Sequence, residues 1–160
     1  MKPNPIKPDA MMAILAGLIA TPAMTVLMYL LAPVLGVKMD IVAMLGEILG
    51  GWKMGMLVHI LNGAIIFPLA YVYLLYRLLP GPPLAKGVAF GVALWLASQV
   101  IVMPLMGAGL FSSHIGGMKA VAAVLIGHVV YGTFLGSFPT LAHEDVSHSQ
   151  PELARRSDLS

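Results

Sequence analysis

Two short stretches hold the side chains whose type and spacing suggest chemistry: LVHILNGAIIF (57–67) and IGHVVYGTFLG (126–136). Each has a histidine followed four residues later by a glycine, His59 with Gly63 and His128 with Gly132. Positions four apart share a helix face, so the glycine leaves a notch one turn from the imidazole, where a neighbouring backbone or a flat ligand can approach. Gly55 extends the first notch and Gly136 the second.

Three chemistries fit this pattern. In the simplest, each neutral imidazole bonds across a helix bundle to Asn62, Tyr131, Ser98, Gln99 or a carbonyl, as polar side chains between membrane helices commonly do. Alternatively, His59 and His128 are the axial ligands of a b-type haem and the glycines make room for the macrocycle; Lys53 and Lys119 are then the candidates for its propionates. In the third, thioethers join the imidazoles around copper. Nine of the eleven methionines after Met1 (Met24, Met28, Met39, Met44, Met54, Met56, Met103, Met106, Met118) sit in the expected outer part of the chain. Met54 and Met56 lie beside His59, and soft thioether and imidazole ligands suit Cu(I). Methionine is equally an adaptable filler of irregular space.

Other clusters are weaker. Ser112, Ser113 and His114 have no acidic partner nearby and no elbow geometry, so the chain is expected not to be an enzyme. In HEDVSH (143–148) the two histidines are five apart, and the face-sharing of a zincin motif is lost. Cysteine is absent, which excludes disulfides and thiolate sites. A net charge of +2 is too small and dispersed for nucleic acid.

The elements that must position these residues follow from composition. The chain has 160 residues, 59% hydrophobic and 10% charged, and a mean hydropathy of +0.90. Four runs free of charge (10–35, 54–76, 87–106 and 120–138) each have about the 20 residues that a helix needs to cross ~30 Å of hydrocarbon. The first is too long for a signal sequence and reads as a retained anchor. The expected fold is an all-α polytopic membrane protein of four transmembrane helices. None of the four runs contains Asp, Glu, Lys or Arg, which argues against a small proton-coupled oligomeric transporter.

Lys2, Lys7, Arg77, Lys86, Arg155 and Arg156 would share one side, against Lys38, Lys53 and Lys119 on the other. The excess of positive charge places both termini in the cytoplasm, with a cytoplasmic arm at 1–9, a Pro/Gly-rich turn at 77–86 and a polar tail at 139–160, disordered in isolation. In the first outward loop Asp40 can cap a short helix whose apolar residues Ile41, Met44, Leu45 and Ile48 recur at helical spacing, and Gly50 and Gly51 end it. It is expected to lie along the membrane interface with Trp52 as an anchor.

The halves also resemble one another. APVLGV (32–37) closes the first run and MPLMGA (103–108) the third; Pro33 precedes His59 by 26 residues and Pro104 precedes His128 by 24. The chain therefore reads as a tandem two-helix repeat, unit 1 at 10–76 and unit 2 at 87–138, related by an axis along the membrane normal. Such an axis brings the two histidines to similar depth.

PVLGVKMDIVAMLG (33–46), LPGPPLAKGVAFGVALWL (79–96), VMPLMGAGLF (102–111) and IGHVVYGTFLG (126–136) resemble a family of small bacterial four-helix integral membrane proteins classed as a domain of unknown function. The resemblance implies the architecture and brings no activity or catalytic residue with it. The expected role is a non-enzymatic accessory or assembly subunit of the bacterial inner membrane, without cofactor. Its partners would be the lipid bilayer and another membrane protein or a second copy of itself. Haem b or copper at His59 and His128 is the alternative.

Overall fold

In a computed structural model, described for the backbone of residues 9–157 and the side chains of residues 9–138, the described residues are mostly helical and include no strand. Helix α1 is Ala10–Val34, α2 is the short Ile41–Leu49, α3 is Trp52–Leu75, α4 is Pro83–Leu105 and α5 is Met118–Ser157. Helices α1, α3, α4 and the Met118–Phe138 part of α5 are long and apolar enough to span a membrane, and all four match the charge-free runs within a few residues. The arm at 1–8, with Lys2 and Lys7, and the side chains of His143, His148, Arg155 and Arg156 lie outside the described residues. The polar tail, read as disordered in isolation, continues the helix in its backbone to Ser157; extending an existing helix costs far less than starting one.

Burial follows the membrane pattern, with small and aromatic residues inside and long aliphatics outside. Ala16, Ala20, Tyr71, Phe90, Tyr131 and Leu135 form the main core, while Leu15, Leu18, Val26, Leu30, Ile60 and Ile101 face outward. An outward Leu has nothing to gain by packing when the solvent is lipid, so contact goes to residues that let backbones approach. Helix α1 packs on α3 and on α5, and α4 packs on α5. Helices α3 and α4 meet where the Tyr71–Leu75 turn reaches α4, beside the loop that joins them.

The glycines lie on these seams. A methyl group on Gly87 would strike the carbonyl of Gly132, and one on Gly132 the carbonyl of Gly87. On Gly136 it would come within 2.8 Å of Leu84 Cα. On Gly63 it would strike the Thr21 hydroxyl, and on Gly17 it would come within 2.7 Å of the Gly63 carbonyl. Gly55 faces the carbonyl of Val42 on α2.

Helix α2 starts as its sequence suggests: Asp40 Oδ1 accepts from the backbone N–H of Val42 and Ala43, each at 3.0 Å. It ends at Gly50, whose φ of 93° suits glycine alone. Its buried face carries Val42 and Gly46, packed on α3, and Ile41 and Leu45 turn toward the bundle, whereas Ile48 is exposed. The inward face is thus shifted by about one residue from the apolar spacing, because the Gly46–Gly55 approach fixes the roll of the helix.

Prolines shape α3 and α4. Each helix widens by one residue into a π turn, Asn62–Ile66 and Ser98–Val102, just before Phe67–Pro68 and Met103–Pro104, and α3 has a second π turn at Tyr71–Leu75 with no proline after it. Proline has no N–H to give, and at Pro68 and Pro104 the ladder slips from i−4 to i−5 ahead of the ring, whereas Pro22 sits inside α1 without such a turn. The Phe67 N–H bonds the Asn62 carbonyl, and the Met103 N–H bonds the Ser98 carbonyl.

Candidate functional site

The π turn of α3 leaves one carbonyl without a donor. Gly63 would receive from Phe67 in an α-helix and from Pro68 in a π-helix; Phe67 is committed to Asn62 and Pro68 has no N–H. Tyr131 on α5 completes it, its hydroxyl donating to Gly63 O at 2.5 Å. The glycine of the first pattern is therefore tied to the residue before the glycine of the second.

His59 and His128, from α3 and α5, line one cavity of about 260 Å³ in the half of the bundle nearer α2. Thr21, Met24, Thr25 and Met28 of α1, Ile41 and Leu45 of α2, and Leu94, Ala97, Ser98 and Met103 of α4 complete its wall with Asn62, Phe67 and Tyr131. No lining residue is charged. Tyr29 and Met39 belong both to this wall and to a groove on the bundle end, and the Tyr29 hydroxyl donates to Asp40 Oδ1 at 2.8 Å, so the start of α2 is pinned beside the cavity.

Each histidine uses one ring nitrogen. His59 Nε2 lies 2.8 Å from Thr25 Oγ1, and that hydroxyl donates to the Thr21 carbonyl at 2.7 Å. Its single hydrogen is spent there, so Nε2 donates to Thr25 and Nδ1 of the neutral ring carries the lone pair. His128 Nδ1 lies 2.8 Å from the Val124 carbonyl, which only accepts, so Nδ1 donates and Nε2 carries the lone pair. With no acidic side chain in the wall, a charged ring would stand uncompensated, and the neutral forms are the ones that fit.

Several expected placements change. His59 is held by Thr25, which the spacing of polar residues in α3 to α5 did not bring forward, and not by Asn62, Ser98 or Gln99. The signal was in α1: Gly17, Thr21 and Thr25 repeat every four residues, the same interval as His59 and Gly63. Gln99 is fully buried away from the cavity, its Oε1 accepting from Ser112 at 2.9 Å; that bond holds the loop where Phe111 and Ser112 take left-handed φ values of 49° and 54°. Ser112 is thus a buried loop anchor, and exposed His114 bonds the Gly107 carbonyl. The glycine notches are filled by backbone or Thr21, with Gly55 taken up by α2. Met54 and Met56 do not line the cavity, whereas Met24, Met28, Met39 and Met103 do. Pro33 is exposed at the end of α1, and Pro104 follows the π turn of α4. No group of three or more His, Cys, Asp or Glu suited to a metal ion occurs among the described residues.

Comparison with known families decides the kinship. Residues 8–150 match the model of DUF6789, a family of unknown function. The chain belongs to that family. No curated protein and no solved structure matches it. The DUF6789 match covers all four spans and the two histidine stretches, and it attaches no activity to them.

Proposed function

We propose that this DUF6789 chain is a non-enzymatic accessory subunit of a membrane, and that its task is to hold a small ligand in the cavity between His59 and His128. One observation carries the reading: two histidines 69 residues apart, on helices α3 and α5, turn into a single uncharged space within the bundle. A bundle built only for packing gains nothing from leaving about 260 Å³ beside two imidazoles. A 150 Å³ apolar cavity suffices for benzene, so this one suits a substituted ring or a compact polar head.

The haem and copper readings have less support. A macrocycle needs a slab of free space along both rings, and the glycines that would supply it are occupied by Thr21, Gly87 and Leu84. Copper would have to draw on Met24, Met28, Met39 or Met103, since Met54 and Met56 lie off the wall. We also read the helix pairs α1–α3 and α4–α5 as copies of one unit, supported by the equivalent seats of Gly17 and Gly87 and of Gly63 and Gly132. The distribution of Lys and Arg supports an inner-membrane orientation with both termini in the cytoplasm.

Trp95 lies next to the cavity wall and Trp52 is the other tryptophan. In a Trp52→Phe background, a brominated single-ring probe should quench Trp95, and Ala97→Phe, which narrows the wall at an exposed position, should reduce the quenching. Equal quenching with and without Ala97→Phe would remove the cavity as the site.

A further inference from the structure

We infer that the ligand is a neutral, bilayer-soluble molecule that donates hydrogen bonds, a hydroxylated amphiphile, entering between α3 and α4 with its hydroxyls on His59 Nδ1 and His128 Nε2. This rests on the cavity being a ligand site and goes further, to the polarity of what fills it.

The hydrogen bonds fix that polarity. Thr25 consumes the N–H of His59, and the Val124 carbonyl consumes that of His128. What remains on each ring is an acceptor, so a carbonyl set against either imidazole would place lone pair against lone pair. The wall has no Asp, Glu, Lys or Arg to compensate a charged ligand, and a bare ion in this apolar setting is costly. A neutral ring or short head with two hydroxyls satisfies both nitrogens, and the thioethers of Met24, Met28, Met39 and Met103 adapt to its apolar parts.

The route follows from packing. Helices α1–α3, α1–α5 and α4–α5 form the packed seams, whereas α3 and α4 approach each other at Tyr71–Leu75, away from the cavity. Beside the cavity, α3 offers His59, Asn62 and Phe67 and α4 offers Leu94, Ala97 and Ser98, with Ala97 exposed on the outer face. At the bundle end, by contrast, α2 is held by the Tyr29–Asp40 bond and by Gly46 against Gly55. The lipid side is the open side, and an apolar tail on the ligand can remain there. Both helices flanking the opening carry a π turn at this level, a distortion frequent at functional sites.

The test uses two probes built on one ring, a short-chain alkyl hydroquinone and its dimethyl ether, titrated into the full chain in lipid nanodiscs while Trp95 emission is read in the Trp52→Phe background. The hydroquinone should bind, and the ether, which cannot donate, should bind roughly ten- to a hundredfold more weakly. His59→Leu and His128→Leu should each bring the hydroquinone down toward the ether. Equal binding of both probes would overturn the inference while leaving the cavity as a ligand site, and failure of both to bind would overturn the cavity reading itself. The probe comparison needs no variant at the histidines, so it holds even if those variants fail to fold. Preference for the matching quinone, which only accepts, would also overturn the inference.

Discussion

The helix pairs α1–α3 and α4–α5 both place glycine on their seams and use it differently. In α4–α5, Gly87 faces Gly132 and Gly136, Gly91 faces the His128 carbonyl and then Gly132, and the contacts are backbone on backbone. In α1–α3, Thr21 stands against Gly63, so one side of the seam has a side chain. That hydroxyl and its neighbour Thr25 bond carbonyls one turn back, at Gly17 and Thr21, and Thr25 also reaches His59. Seventy residues on from Thr25 stands Trp95, whose indole N–H donates to the Val121 carbonyl at 3.2 Å. His128 has no hydroxyl across the seam and falls back on the carbonyl of its own helix. A seam of glycines gives the closest backbone approach and no polar partner, while a threonine on one side yields some closeness and holds the histidine from the neighbouring helix.

The largest effect should come from the glycine seam. Gly132→Leu must displace two backbones and should destabilise by about 3 kcal/mol or more, whereas Gly63→Leu pushes first on the Thr21 side chain and should cost about 1 to 3 kcal/mol. Thermal unfolding in detergent orders the two, and equal losses would erase the difference between the seams. Gly63→Ala should sharpen it: adding Thr21→Ala should restore part of its loss, while Thr21→Ala should do nothing for Gly132→Ala.

Next in size is the tie across the bundle. Tyr131→Phe removes the donor to Gly63 O and leaves a buried carbonyl bare, at a cost of about 1 to 3 kcal/mol. Pro68→Ala restores an N–H to α3 and should shrink that cost in the double variant. Additive losses would show that Pro68 is not what strands the Gly63 carbonyl.

The four spans and the capped loop helix were legible because hydrophobic run length and the Asp40 and Gly50 signals are local properties of the chain. Both histidines and Gly63 and Gly132 stood out for the same reason. What could not be read was which face meets which neighbour: Thr25 is polar at an ordinary position, and nothing local says that it reaches His59. The methionines misled because closeness in sequence selected Met54 and Met56, while the roll of α3 turns the cavity wall to His59 and Asn62 and the thioethers come from α1, from α4 and from Met39 just before α2. Pro68 and Pro104 were visible; their consequence, a π turn that strands a carbonyl, depends on where Tyr131 stands in three dimensions.

A smaller effect concerns the cross-seam hydroxyl. Thr25→Val keeps the shape and removes the partner of His59, and it should cost about 0.6 to 2 kcal/mol. No position on α4 should show an equivalent loss through His128, whose partner is the Val124 main chain.

The most direct measurement is the ¹⁵N spectrum of the imidazoles in histidine-labelled protein in lipid near neutral pH, with His59 and His128 assigned by single replacement. The bonding described here requires two neutral rings of opposite tautomer: His59 protonated on Nε2 by virtue of Thr25, and His128 protonated on Nδ1 by virtue of Val124. Thr25→Val should release His59 to a mixture of tautomers and leave His128 unchanged. The same tautomer on both rings, or doubly protonated rings, would contradict the paired acceptor nitrogens on which this account of the cavity stands.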